Sequence, residues 1–187
     1  IPQDIVLFND NLLSKNNFLK QDMYGDLEEC FLRRRPAEML CQANEHLKAS
    51  HPELRLLVFD GLRTRSVQKK LWDALDTIPI SLRTQFVADP KKGSIHNYGA
   101  AVDLTLALEN GSELDMGTEY DHFGELAFPA LEDSLLALGK LTDKQIKNRT
   151  ILRQVMTKAG FSTIDSEWWN FDAFSRNETK NKYKIVE

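Results

Sequence analysis

Cysteine is nearly absent from this chain: 187 residues hold two, Cys30 and Cys41. That count excludes a disulfide-built scaffold. On one unbroken helix the eleven-residue step between them would measure about 16 Å at 1.5 Å per residue, beyond the reach of a disulfide. Free, mostly buried thiols are therefore expected. Long apolar runs are missing too. No stretch approaches the roughly 20 residues of a membrane-spanning helix, and no signal peptide stands at the start. Positive charge is not in excess, with 24 Lys and Arg against 28 Asp and Glu, a net charge of −4. This balance excludes a general nucleic-acid surface. The one tight basic cluster, Arg33-Arg34-Arg35, follows Asp26, Glu28 and Glu29 and reads as a solvated loop or helix end. There is no internal repeat and no low-complexity segment.

What is present is an ordinary globular composition, 42% hydrophobic, at a length that suits one domain over 1–187. Residues 1–24 read as an N-terminal arm with a strand near Ile5–Phe8 and a turn at Asn16-Asn17. Met39, Leu40, Ala43 and Leu47 recur at helical steps and predict a helix from Pro36 to Ser50, closed by His51-Pro52. Leu54–Asp60 reads as a strand. Ser66 is the expected N-cap of a second helix over 67–76, and 77–93 reads as a connection with a short helical piece. Val102–Leu108 is a second strand, followed by hairpin-turn composition at Glu109-Asn110-Gly111-Ser112. A polar, aromatic loop runs on through Phe128-Pro129. Asp143–Lys158 is a third helix, with an apolar face and a basic face that carries Arg149 and Arg153, and Gly160 is its expected C-cap. The last dozen residues read as partly loose until Tyr183–Ile185. Helices and short strands in this order suggest α+β.

Three stretches carry candidate chemistry. In Ser94-Ile95-His96-Asn97-Tyr98-Gly99-Ala100-Ala101-Val102-Asp103, a His on a loop and an Asp on a strand flank small residues that leave room for a turn. Imidazole nitrogen and carboxylate oxygen are both good zinc ligands, although by residue type alone the two are also plain polar residues. In Ser166-Glu167-Trp168-Trp169-Asn170-Phe171, the aromatics are either core residues beside a surface Glu or an apolar wall. Such a wall raises a carboxyl pKa toward the range useful for proton transfer. Arg63 follows a strand end in Asp60-Gly61-Leu62-Arg63, where a guanidinium is either a surface charge or a group that stabilises an oxyanion.

Taken together, Ser94-x-His96-x-x-Gly99-x-Ala101-x-Asp103, Asp60-Gly61-x-Arg63 and Glu167-x-Trp169 resemble the zinc D-alanyl-D-alanine dipeptidases, the group of the vancomycin-resistance dipeptidase. The likeness extends to Asn17-Phe18, Tyr24-Gly25, Leu32-Arg33, Val67-Gln68, Asp115-Met116-Gly117 and Tyr120-Asp121. It implies a small antiparallel sheet with flanking helices, as in the hedgehog/DD-peptidase superfamily. It also implies a zinc cofactor on His96 and Asp103, with Glu167 as general base and acid and Arg63 at the oxyanion. Asp121 would then meet the substrate ammonium, and Ser94 and Trp169 would line a site for a small dipeptide, D-Ala-D-Ala. A bacterial protein is implied, in the periplasm or envelope if Ile1 is a processed terminus and in the cytoplasm otherwise. Two departures stand out. Leu62 and Thr64 replace the family's Tyr and Pro beside the Arg, and Asn170 occupies the position of the third zinc ligand, a His in the family. An amide oxygen is a weak ligand for zinc. Asp172, two residues on, and His122, beside Asp121, are the other candidate donors. A catalytically impaired homologue that binds peptide or cell-wall fragments, and a peptidoglycan carboxypeptidase of the same superfamily, are the alternatives.

Overall fold

The computed structural model describes residues 4–8, 12–13, 24, 29–84 and 86–187. Most of the N-terminal arm, with Asn16-Asn17, Phe18 and Gly25, lies outside the described residues. Within it, β1 (Ile5–Phe8) pairs antiparallel with β3 (Cys30–Arg33) as a two-stranded sheet. The main sheet has five strands in the order β2-β4-β5-β7-β6. These are β2 (Leu12–Leu13), β4 (Leu54–Asp60), β5 (Ala101–Leu108), β6 (Ser162–Ile164) and β7 (Glu167–Asp172). All neighbours are antiparallel except the short edge strand β2, which runs parallel to β4. The class is α+β, as the element order predicts, and the parallel edge pair is the addition.

The core forms because successive strand residues face opposite sides. Leu54, Leu56 and Val58 of β4 enter the main core, whereas Leu57 and Phe59 form a smaller cluster with Ala107. Across the main core lie α1 (Arg34–Ser50) and α5 (Asp143–Lys158). Met39, Leu40, Ala43 and Leu47 of α1 and Leu152 and Met156 of α5 are all buried there. The helix predicted from Pro36 begins two residues earlier, with Pro36 in its first turn, where a missing N–H costs nothing.

Several local expectations are corrected. The second helix, α2 (Arg65–Ala74), is capped by Thr64, whose Oγ1 accepts from the Val67 amide at 3.3 Å, rather than by Ser66. The short piece in the following connection is α3 (Ile80–Arg83). A further short helix, α4 (Glu132–Ala137), follows the polar, aromatic loop, in a stretch to which the sequence reading assigns no element. The C-terminal residues are not loose. They form α6 (Arg176–Lys182), whose N-cap Ser175 accepts from the Glu178 amide. Cys30 and Cys41 lie on different elements, β3 and α1; Cys30 is buried and Cys41 partly so.

Two arginines assigned to solvent are interior. Arg33 donates to Tyr98 O and to Lys184 O, each at 2.8 Å, and pairs with Asp4. It thereby ties the first strand and the C-terminal tail to the turn before β5. Gly99 makes that approach feasible: its φ is +72°, and a Cβ there would lie 3.2 Å from the Arg33 amide. Arg149, expected on a basic face, is 2% exposed. It donates to Met116 O at 2.7 Å and Leu126 O at 2.9 Å and pairs with buried Glu132. This one side chain thereby ties three points of the segment over 115–132 together. Arg149→Met is expected to cost about 3 kcal/mol, since it leaves a buried partner and two carbonyls unmet. Arg153→Met, on a pair that reaches solvent, is expected to cost less than about 1 kcal/mol. Urea denaturation of the two variants checks the contrast.

Candidate functional site

One row across three strands builds the site. Asp103 of β5 stands opposite Asp60 of β4 on one side and Asn170 of β7 on the other. Directly opposed residues on one face lie about 4.5–5.5 Å apart at Cβ, so three polar side chains converge. His96 joins them from a 3-10 turn, Ile95–Tyr98, just before β5. Its Nδ1 donates to Gly61 O at 2.9 Å, which turns Nε2 toward Asp103 Oδ1 at 3.3 Å. A ring nitrogen anchored on a carbonyl, with its other nitrogen facing a carboxylate, is the arrangement common to metal-binding histidines.

Arg63 enters from the turn after β4. Its Nη2 lies 3.7 Å from Asp103 Oδ2, and Tyr120 donates to that same oxygen at 3.0 Å. Tyr120 is stacked on Phe59 and meets Trp169 edge-on. Asp121, beside it, has a φ of +58° and is the one non-glycine with positive φ among the described residues, a conformation that Asp tolerates better than most.

Glu167 and Asn170 are three apart on a strand, a spacing that a regular strand sends to opposite faces. They nevertheless line one pocket, because β7 is bulged. One step along β6, from Thr163 to Ile164, spans four along β7, from Phe171 to Glu167. The bulge also brings Trp169 to the pocket wall, while the Trp168 indole donates to Thr118 Oγ1 at 2.7 Å beneath it.

The resulting pocket has a volume of about 170 Å³ and is lined by His96, Asp103, Arg63, Asp121, Glu167 and Ser94 among others. That is small beside the ~300–1,000 Å³ of drug-sized sites. Burial drives the Glu167 carboxyl up to about 7, with the Asp103 charge acting in the same direction and His96 and Arg63 against it. Trp169 lines the same pocket as Glu167. Burial also pushes Asp121 well above the ordinary carboxylate range. For His96, burial opposes the charge, but the Asp103 carboxylate overcomes it and raises the imidazole to about 9.

Every sequence-predicted site residue meets in this pocket: Glu167, Arg63, His96, Asp103, Asn170, Ser94, Asp121 and Trp169. The two alternative donors do not join the ligand group. His122 is exposed. Asp172 shares a face with Asn170 by register but stands opposite Ala101, two pairs further along. The structure adds Gln68, fully buried, whose Oε1 accepts from Arg63 Nη1 at 3.3 Å and from Ser94 Oγ at 3.5 Å. Asp60 is the other addition. Both belong to motifs read in the sequence, yet nothing local distinguishes their roles there.

Asp60, His96 and Asp103 each bring a ligand atom within 4.8 Å of the others, the composition of a divalent-metal site. The atoms left without a hydrogen bond point the same way. Asp103 Oδ1 and Asn170 Oδ1 are both buried and unpartnered, and Asn170 Nδ2 lies 3.2 Å from His96 Nε2. Exchanging the two ends of that amide would place an oxygen beside Nε2. The residues present therefore fit a cation held by His96 and Asp103, with Asn170 as an amide-oxygen third donor.

The profile of the D-ala-D-ala dipeptidase family matches residues 9–185. The chain belongs to that family. It is 36% identical over 119 residues to the D-alanyl-D-alanine dipeptidase of Escherichia coli (strain K12), covering 64% of this chain and 55% of that one. To the Synechocystis D-alanyl-D-alanine dipeptidase it is 28% identical over 167 residues, covering 75% and 68%. The match therefore spans little more than half the length of the first relative. Among solved structures, the LdcB LD-carboxypeptidase shares the fold, with a TM-score of 0.55 at 18% identity over 96% of this chain and 72% of that one. These sequence relatives are bacterial, and among the described residues no helix is long and apolar enough to cross a membrane.

Asn170→His would exchange an amide for an imidazole where the open donors converge. Zinc affinity, measured by competition with a chromogenic chelator, is expected to tighten by more than ~10-fold, the lower end of what an outer-sphere partner alone is worth.

Proposed function

We propose that the chain is a zinc-dependent dipeptidase that hydrolyses D-alanyl-D-alanine. The observation that carries this reading is the placement of Glu167 in the same small pocket as His96, Asp103 and Arg63, where partial burial lifts its carboxyl to about 7. A base poised near neutral pH both takes and returns a proton efficiently.

His96 and Asp103 would hold the zinc, with Asn170 as the weak third donor. When bound, zinc supplies a Lewis acid for the scissile carbonyl and lowers the pKa of a water. Glu167 takes a proton from the attacking water as its oxygen bonds to the carbonyl carbon. It then delivers that proton to the amine as the C–N bond breaks. Arg63 faces the negative charge that develops on the former carbonyl oxygen. Asp121 meets the ammonium end of the substrate, Ser94 helps to hold the dipeptide, and Trp169 walls the pocket. A pocket of this size, closed over by Tyr120 and Trp169, favours a dipeptide over a longer peptide.

The second reading is a homologue that binds peptide or cell-wall fragments without cutting them, and Asn170 is the observation in its favour. Release of D-alanine from D-Ala-D-Ala by the zinc-loaded protein, with L-Ala-L-Ala and a pentapeptide as controls, separates the two. Turnover of D-Ala-D-Ala alone supports the dipeptidase. Binding without release supports the second reading, and cleavage of the pentapeptide would point to a carboxypeptidase. Glu167→Gln is expected to lower kcat by about 10²–10⁴-fold, the range of a general base, with the fold retained by circular dichroism.

A further inference from the structure

We propose that Asp60 is a positioning residue for Arg63 and not a metal ligand, although it lies within ligand distance of His96 and Asp103. Asp60 is 4% exposed, and its acceptor capacity is spent. Oδ2 accepts from Arg63 Nε at 2.8 Å and Nη2 at 2.6 Å. Oδ1 accepts from the Gly61 amide at 2.8 Å and from Tyr24 Oη at 2.5 Å. A carboxylate offers about four lone-pair sites, and all are taken. Ligation by Asp60 would strip a buried guanidinium of its main partner.

The imidazole argues the same way. Asp60 Oδ2 faces His96 from the Nδ1 side at 4.0 Å, and Nδ1 gives its proton to Gly61 O. A nitrogen that carries a proton has no lone pair for a cation. Asp103 and Asn170 face the other nitrogen, Nε2. One imidazole cannot turn both faces to one ion, so Asp60 and Asp103 serve different cations: Arg63 on one side of the ring, and the metal on the other.

The clamp holds two N–H groups of a long, flexible side chain on a single oxygen. This leaves Nη1 toward Gln68 and aims the remaining edge at the pocket. The order gained is loss of rotamer freedom before substrate arrives, which is how pre-organised charge becomes effective. The kinetic half of this inference rests on the dipeptidase reading, and the metal half does not.

The test compares Asp60→Asn, Arg63→Ala and the double variant, with Asp103→Asn as a ligand control. Zinc affinity, kcat and KM for D-Ala-D-Ala, and calorimetric binding of that dipeptide are measured on each. Asp60→Asn is expected to leave zinc affinity within about 3-fold of the parent, whereas Asp103→Asn should weaken it by more than ~100-fold, beyond the effect of an outer-sphere partner. Asp60→Asn should lower kcat by about 10–100-fold with KM little changed, and the double variant should be no slower than Arg63→Ala, because a residue that acts through another is non-additive with it. Zinc loss in Asp60→Asn equal to that in Asp103→Asn would overturn the assignment. So would a double variant at least about tenfold slower than Arg63→Ala, since independent effects add. If Asp60→Asn alone does not fold, the double variant, which removes both buried charges, carries the zinc comparison. If the unaltered protein does not turn over the dipeptide, the dipeptidase reading fails, and the same cycle is read from dipeptide affinity.

Discussion

Like charge across a strand pair is the constraint on which this site depends. Asp60 and Asp103 stand directly opposite each other on neighbouring strands, both almost fully buried. Two carboxylates so placed repel, and burial removes the water that would screen them. The fold answers with a guanidinium and an imidazole, both fed in from the loops at the same end of the sheet. Arg63 comes from the turn that ends β4 and His96 from the turn that begins β5. Those two turns are bonded to each other, Arg63 N to His96 O at 3.1 Å. The peptide that orients the imidazole and the one that places the guanidinium therefore belong to one unit.

The outer parts of the molecule hold that unit in register. Arg33 stitches β3 and the C-terminal tail to Tyr98 O, one turn from His96. The Val186 amide donates to Asn97 O at 2.8 Å from the far end of the chain. On the opposite side, Arg149 fastens the loop that carries Tyr120 and Asp121. Each uses a buried charge to satisfy several carbonyls, so loss of either would leave polar atoms dry. Buried arginines thus do in the second layer what hydrophobic contact alone cannot: they fix loop positions by direction as well as by area.

The balance of charge in the pocket is acidic. Asp103, Asp121 and Glu167 face it together, against Arg63 and His96. Burial lifts the Glu167 and Asp121 carboxyls above their usual range, and the neighbouring acidic charge adds to it; the surplus also makes the pocket attractive to a positive group. A divalent cation at one end and an ammonium at the other are the two guests that such a field favours.

Much of this was legible in the residues themselves. Periodicity marked α1 and α5 because their apolar faces repeat at 3.6 residues, and β4 was plain as a continuous apolar run. His96, Asp103, Glu167 and Arg63 stood out through motifs whose order along the chain carries information. Four features were decided only by tertiary structure. The bulge in β7 that turns Glu167 and Asn170 to one side depends on pairing with β6. The burial of Arg33 and Arg149 depends on carbonyls 23 or more residues away. The choice of Thr64 over Ser66 as cap depends on where β4 releases the chain. The division of Asp60 and Asp103 between two cations depends on which nitrogen of His96 each carboxylate faces. Sequence determines which groups are available and roughly which face they take. Direction, and therefore which donor meets which acceptor, exists only once the strands are in register.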